Sequence, residues 1–144
     1  MKHRKLIPIL ALVFLLIFAS TALSATMVSG KIGTVTPNAY QTITGGECYL
    51  TDYGNGNINI SGDTSTSCSV TQIGITLHLQ YLSGGNWYTL NTYTYTKSNS
   101  SYVSGGRSLS VSKGYYYRVA ADHTSLFGAI NEKGISYSES LYIQ

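Results

Sequence analysis

Within residues 71–82, TQIGITLHLQYL, apolar and polar positions alternate without a break from Ile73 to Tyr81. Successive side chains of a β-strand point to opposite faces, so a period of two places one set against a core and the other toward solvent. The apolar set is Ile73, Ile75, Leu77, Leu79 and Tyr81. No helical periodicity follows the N-terminal apolar run. This stretch therefore predicts a half-buried strand and favours an all-β fold.

The composition after residue 25 agrees with this prediction. All thirteen Tyr and all fifteen Gly lie there, together with many Thr, Ser and Asn. Tyr, Thr, Val and Ile favour strands, whereas Gly and Asn mark turns. Turn signals at 54–57, 83–86 and 113–114, with polar loops predicted just before Cys68 and over 124–134, divide the chain into about seven strands. We expect an antiparallel β-sandwich, preceded by an irregular or lightly paired lead-in over 26–44.

The first 25 residues are typical of a secretory signal peptide. Three basic residues precede the apolar run LIPILALVFLLIFAS, and the small residues that follow indicate cleavage between Ala22 and Ala25. A retained membrane anchor is the alternative, because the run is close to the minimum length for a membrane span. We expect a single secreted domain over 26–144 that leaves the membrane after cleavage.

The basic charge belongs mostly to this leader. Nine Lys and Arg oppose six Asp and Glu, a net charge of +3. Removing Lys2, Arg4 and Lys5 leaves six basic and six acidic residues. A neutral chain lacks the excess of positive charge that nucleic-acid binding requires, so we expect no nucleic-acid partner.

Cys48 and Cys68 are the two cysteines of the chain. An even number of cysteines in an exported protein predicts a disulfide. The alternative is two unpaired thiols in different sheets.

Part of the chain resembles a known fold family. ITLHLQYLSGGNWYTL is similar to the C–C′ region of fibronectin type III domains, and LSVSKGYYYRVAADH followed by GISYSES resembles their E, F and G strands. The resemblance covers 73–143 and implies a fibronectin type III or immunoglobulin-like sandwich. It departs from the family at INISG, which lacks the usual tryptophan. The chain also resembles small exported proteins of Gram-positive bacteria that form a domain family of unknown function, which implies a compartment but no reaction.

The residues of the predicted F strand split by the same period of two. Tyr115, Tyr117, Val119 and Ala121 are expected in the core, and Asp122 and His123 begin a loop. In the last strand, Ile135, Tyr137, Leu141 and Ile143 are expected on one side.

No catalytic or metal-binding pattern stands out. Asp122 and His123 are the one acid–imidazole neighbour pair, but neighbours on a strand point to opposite faces and no activated nucleophile accompanies them. Asp52, Asn55 and Asn57 suggest a calcium loop, yet glycines occupy 54 and 56, where ligands are needed. We expect no enzyme, no metal and no cofactor.

Aromatic residues are the stronger binding candidates. Strict alternation in WYTLNTYTYT places Trp87, Tyr93 and Tyr95 on one face, and Tyr116 and Arg118 share the non-core face of their strand. Rings with a polar tip suit sugars and protein surfaces. The alternative is that Trp87 packs under a sheet edge and the tyrosines form cross-strand pairs.

Three functions follow. The leading hypothesis is a secreted, non-enzymatic domain that binds an extracellular glycan or protein through this aromatic face. The second is a self-associating structural or matrix subunit, because Ser-, Thr- and Tyr-rich strands with few charges leave sheet edges free to pair. A secreted toxin or inhibitor is a weaker third hypothesis.

Overall fold

The computed structural model describes residues 27–30 and 41–144, and the predicted signal peptide lies outside them. The described part is all-β. Its strands are β1 (Met27–Gly30), β2 (Ile43–Gly54), β3 (Asn57–Ser83), β4 (Asn86–Ser110), β5 (Tyr115–Phe127), β6 (Ile130–Tyr137) and β7 (Leu141–Ile143). Across these residues, no helix is long and apolar enough to span a membrane.

The strands form one antiparallel sheet in the order β1-β2-β3-β5-β6, with β4 on β3 and β7 on β5. The first part of β3, up to Thr66, pairs with β2, and its last part, from Gln72 to Tyr81, pairs with β5. β4 follows β3 through both parts. A register shift between Ser65 and Val70 marks the bend between them. β3 and β4 therefore each run through two halves of a curled sheet.

The two halves face each other at close range. Glycines on the inner face of the first half provide the space, because a Cβ on Gly62 would lie 2.8 Å from Ile75 Cδ1. A Cβ on Gly46 would lie 2.4 Å from His123 Nδ1, and one on Gly105 would meet the Tyr95 ring at 2.2 Å. Side chains of the second half therefore occupy the space that a side chain at each of these glycine positions would need.

The core lies between the halves. The predicted apolar set of β3 is confirmed, since Ile73, Ile75, Leu77 and Leu79 are fully buried and Tyr81 packs against them. The other hydrophobic members of the core are Cys48, Leu50, Ile58, Ile60, Val70, Val103, Tyr117, Val119, Ala121 and Ile143.

Turn predictions from Gly and Asn are confirmed. The β2–β3 turn has positive φ at Gly54, Asn55 and Gly56, with values of 84°, 55° and 77°. The β3–β4 turn has φ of 55° at Gly84 and 80° at Gly85. Backbone in this region strains most side chains, which explains why glycine occupies these positions.

The two predicted polar loops are wrong. The residues before Cys68 continue β3, and 124–134 belong mostly to β5 and β6, joined by a tight turn with Gly128 at φ 61°. In both segments, polar residues alternate inward and are buried, among them Thr64, Ser125 and Glu132. A buried hydrogen-bonding partner replaces the apolar side chain that a strand pattern normally shows. The predicted lead-in contains a paired segment, because Met27–Gly30 pairs with β2, whereas 31–40 lie outside the described residues.

The predicted disulfide is also wrong for this structure. Cys48 is buried and Cys68 is exposed, and both thiols are free. Cys48 lies opposite Gly62, and Cys68 is six positions further along β3. At about 3.3 Å per strand residue, this separation far exceeds the reach of a disulfide.

His123 is at the centre of a buried polar chain between the halves. It is 1% exposed, with Thr64 Oγ1 2.8 Å from Nδ1 and Ser136 Oγ 2.8 Å from Nε2. Ser136 also lies 3.3 Å from Cys48 Sγ. A hydroxyl can donate or accept, so both nitrogens of a neutral imidazole are satisfied. Burial lowers the pKa of His123 to about 4, despite the opposing effects of Asp122 and a backbone hydrogen bond.

Glu132 joins β6 to the start of β2. Its carboxylate accepts hydrogen bonds from the backbone N–H groups of Gln41, Thr42 and Ile43 and from the Thr42 hydroxyl. Burial acts to raise the pKa of Glu132, but these bonds outweigh it and hold the pKa below its usual value. The ionised form is therefore the one that the fold favours, and its contribution to stability is lost as the pH falls below about 4.5.

We predict that acid destabilises the fold through His123 at a higher pH than through Glu132. The unfolded state binds a proton near pH 6.5, whereas the folded state keeps His123 neutral down to about pH 4. The free energy of unfolding should therefore fall by about 3 kcal/mol between pH 6.5 and 4. Urea denaturation of wild type and His123→Gln across this range measures it. The decline should largely disappear in His123→Gln and persist in the control His78→Gln. An equal decline in wild type and His123→Gln would contradict the assignment.

Candidate functional site

One extra residue in β4 divides the predicted aromatic face. Leu79 pairs with Asn91, but the next residue, Gln80, pairs with Thr89, so Leu90 is an additional residue in β4. A bulge of this kind reverses the faces of the residues on its two sides. Trp87 consequently lies opposite Leu82 on the outer face, away from the core, whereas strict alternation placed it with Tyr93 and Tyr95.

Tyr93 and Tyr95 lie on the inner face and pack against the core. The Tyr95 ring covers Gly105, and its hydroxyl donates to the Gly106 carbonyl oxygen at 2.9 Å. The Arg107 guanidinium lies 5.4 Å from the Tyr93 ring centroid. These two rings have structural partners and are separate from the outer face.

The outer face brings Trp87, Tyr116 and Arg118 together. Their strands lie side by side in the order β4, β3, β5, and Arg118 pairs with Gln80 of β3. The face continues onto β6 and β7, where Tyr137 lies opposite Ala120 and Tyr142 lies opposite Tyr116. We call the residues Trp87, Tyr116, Arg118, Tyr137 and Tyr142 the outer aromatic face.

Arg118 is stacked between rings from both sides of its strand. Its guanidinium carbon lies 4.3 Å from the Trp87 centroid and 4.7 Å from the Tyr137 centroid. Its Nε donates to Gln80 Oε1 at 2.9 Å. Cation–π contacts of this length hold the guanidinium plane in one orientation. Partial burial lowers the pKa of Arg118, with a smaller raising effect from Tyr137, but arginine stays charged at neutral pH.

The tyrosines of this face remain accessible. Tyr116, Tyr137 and Tyr142 are each between 45% and 47% exposed, and the Tyr116 and Tyr142 rings contact each other at 5.1 Å between centroids. Together with Arg118, they form a surface of large, oriented side chains with polar tips.

Sequence reasoning missed Tyr137 and Tyr142 as members of this face. They are five residues apart, so uninterrupted alternation would put them on opposite faces. The ladder is interrupted after β6, where Ser138 N–H donates to the Val119 carbonyl oxygen and Ser138 Oγ accepts from Val119 N–H. Nothing in SYSESLY marks that break. Tyr137 was expected on the same side as Ile143, but Ile143 is buried and Tyr137 is exposed.

The acid–imidazole pair does not form a site. Asp122 lies on the outer face, 3.0 Å from Lys133 Nζ and 3.4 Å from His78 Nε2, and His123 is in the core. The strand argument that adjacent residues diverge is confirmed, whereas the prediction of a loop here is wrong. Within 27–30 and 41–144, no three His, Cys, Asp or Glu side chains lie close enough to hold a metal ion.

A second aromatic surface lies at the open end of the inner face. It is a cleft of about 440 Å³, with Tyr81, Leu90, Tyr115 and Tyr117 among its lining residues. Tyr115 contacts Tyr81 edge-on at 5.9 Å and is 42% exposed. Of the four residues expected in the core of β5, Tyr117, Val119 and Ala121 are buried, and Tyr115 is at the mouth of this cleft.

Comparison with protein-family models, with curated proteins and with solved structures finds no match to the chain.

Proposed function

We propose that the chain is an exported, non-enzymatic binding domain that engages an extracellular partner, a glycan or a protein, through the outer aromatic face. The observation that carries this proposal is the convergence of Arg118 with rings from β4, β5, β6 and β7 on one accessible surface.

The physical character of the face supports binding. Tyrosine contributes a large contact area at low entropy cost, and its hydroxyl can form hydrogen bonds to sugars or backbone groups. Tyr116 and Tyr142 project from the paired strands β5 and β7, and their rings contact each other, which restricts their orientation before a partner arrives. Sites on strands are more precisely organised than sites on loops.

The strand order supports a relation to the fibronectin type III or immunoglobulin-like sandwich. One half of the curled sheet has the order β4-β3-β5-β6, which corresponds to the C′–C–F–G order of that architecture. The other half contains β2, β3 and β4. We propose a variant of this sandwich in which β3 and β4 each run from one sheet into the other. Secretion by way of the predicted leader is part of the same proposal.

We predict that Tyr116 and Tyr142 are required for binding, and that an equally exposed tyrosine elsewhere on the sheet is not. Replacing both Tyr116 and Tyr142 with alanine removes the paired rings and should lower affinity for the partner at least tenfold, since truncating a central aromatic anchor of an interface costs about 2 kcal/mol or more. Retention on a panel of insoluble polysaccharides and on immobilised extracellular proteins measures this effect.

The matched control is Tyr102→Ala. Tyr102 is 47% exposed, as Tyr116 and Tyr142 are, but it lies on β4 opposite Ser65 in the other half of the sheet. It should bind like wild type. Equal retention of the double variant and the wild type would refute the proposed face.

A second function, self-association, is favoured by β4. This strand is 25 residues long and pairs with β3, and no other strand of the described part pairs with it. Its residues are mostly exposed, and Lys97 and Arg107 are its only charges. A long edge with few charges is a template for pairing with another strand. A matrix subunit would use this edge to add copies of itself.

We predict that lysines added to the β4 edge will distinguish self-association from the binding of an extracellular partner. If β4 pairs between molecules, the wild type should sediment as oligomers at micromolar concentration, and Thr89→Lys with Ser98→Lys should restore the monomer. The control variant Ser69→Lys with Thr71→Lys adds the same charge to exposed positions of β3, away from the edge. A sharp wild-type monomer over the whole concentration range would exclude self-association.

A further inference from the structure

Arg118 is a half-buried cation without a carboxylate partner. In the described part of the chain, the ion pairs join Asp122 to His78 and to Lys133, and no carboxylate oxygen lies within 4.0 Å of the Arg118 guanidinium. Asp122 shares the outer face with Arg118 but lies four residues along β5, roughly 13 Å away at the usual strand rise. A partly desolvated charge without a counterion is unfavourable unless something else neutralises it.

The protein satisfies only part of the guanidinium. Nε donates to Gln80, and the described residues supply no acceptor for the two Nη groups. Stacking against Trp87 and Tyr137 supports the faces of the group but leaves its N–H edge for hydrogen bonding. The planar edge of arginine matches the two oxygens of a carboxylate, and pairs of this kind are among the stronger charged hydrogen bonds.

The surroundings suit a sugar that bears such a group. Tyr116 and Tyr142 form an exposed ring pair on the same face, and Tyr116 is two residues from Arg118 along β5. A saccharide ring can pack its C–H face on these rings while a carboxylate on the same chain reaches the guanidinium. The Gln80 side chain accepts from Arg118 Nε through Oε1, and its Nε2 lies 3.4 Å from Thr89 Oγ1 of β4. These contacts orient Gln80 beside the guanidinium.

We propose that Arg118 is an anion receptor and that the outer aromatic face recognises an acidic glycan, one whose sugars carry carboxylate groups. This inference rests on the proposed binding function and narrows its partner class. The free carboxylate of the glycan completes the coordination of Arg118, and the tyrosines bind the neighbouring rings.

The test uses chemically matched saccharides. Isothermal titration of the full domain with a galacturonan hexamer, its methyl ester and dextran sulfate compares carboxylate, neutral and sulfate ligands. The acid hexamer should bind at least tenfold more tightly than its ester. Arg118→Lys should lose most of this preference, because an ammonium group has neither the planar fork nor the stacking of a guanidinium. Lys133→Gln, which removes another cation of the outer face, one that is paired with Asp122 and lies away from Arg118, should keep it.

Each alternative outcome has a distinct meaning. Equal binding of the acid and the ester that still depends on Tyr116 and Tyr142 would overturn the anion receptor but leave the proposed function intact. Tight binding of dextran sulfate alone would overturn the carboxylate assignment. Binding of no saccharide by a folded wild type, together with tyrosine-dependent capture of an immobilised extracellular protein, would overturn the acidic-glycan inference and assign the face to a protein partner. Thermal unfolding of Arg118→Lys at the wild-type temperature excludes misfolding as the cause of lost binding.

Discussion

The passage of β3 and β4 through both halves of the sheet is the constraint on which the rest of the structure depends. Because the same two strands build both halves, the inner faces approach closely, and large side chains of one half need small residues opposite them in the other. Gly46, Gly62 and Gly105 allow that approach, and Ile75, His123 and Tyr95 occupy the space they leave. Backbone contacts this close tolerate little added volume, so the inner face is defined by both its small and its large residues. Glu132 then ties the start of β2 to β6.

The outer aromatic face is a consequence of two irregularities in this otherwise regular sheet. The extra residue Leu90 turns Trp87 outward, and the break at Ser138 places Tyr137 and Tyr142 on the same side. Trp87 on β4 reaches across β3 to one side of Arg118, and Tyr137 on β6, next to β5, reaches the other side. Bulges frequently re-aim side chains at functional positions. Without them, regular alternation would place Trp87 on the inner side, away from Arg118.

Period-two patterns predicted the regular parts of this fold and could not predict the irregular ones. The apolar face of 73–81 and the glycine turns at 54–56 and 84–85 follow directly from local chemistry. The sequence predicts loops at two segments that are strands, because buried polar residues there, such as His123, Ser125 and Thr64, look like loop residues. Their burial depends on hydrogen bonds to residues that lie far away in the sequence. The division of Trp87 from Tyr93 and Tyr95 depends on the Leu90 bulge, which is visible only in the pairing of β4 with β3. The same limit applies to Cys48 and Cys68, whose separation is set by register.

The contact between Trp87 and Arg118 is the central claim, because it requires both the bulge and the outward turn of the indole. The chain has one tryptophan, so its ring protons can be identified without ambiguity. Nuclear Overhauser spectroscopy of the folded protein should show contacts from the indole to the Arg118 methylene protons, which the ring current should shift upfield. Contacts from the indole to Tyr93 or Tyr95, with unshifted Arg118 resonances, would contradict the account and restore the uninterrupted alternation of β4.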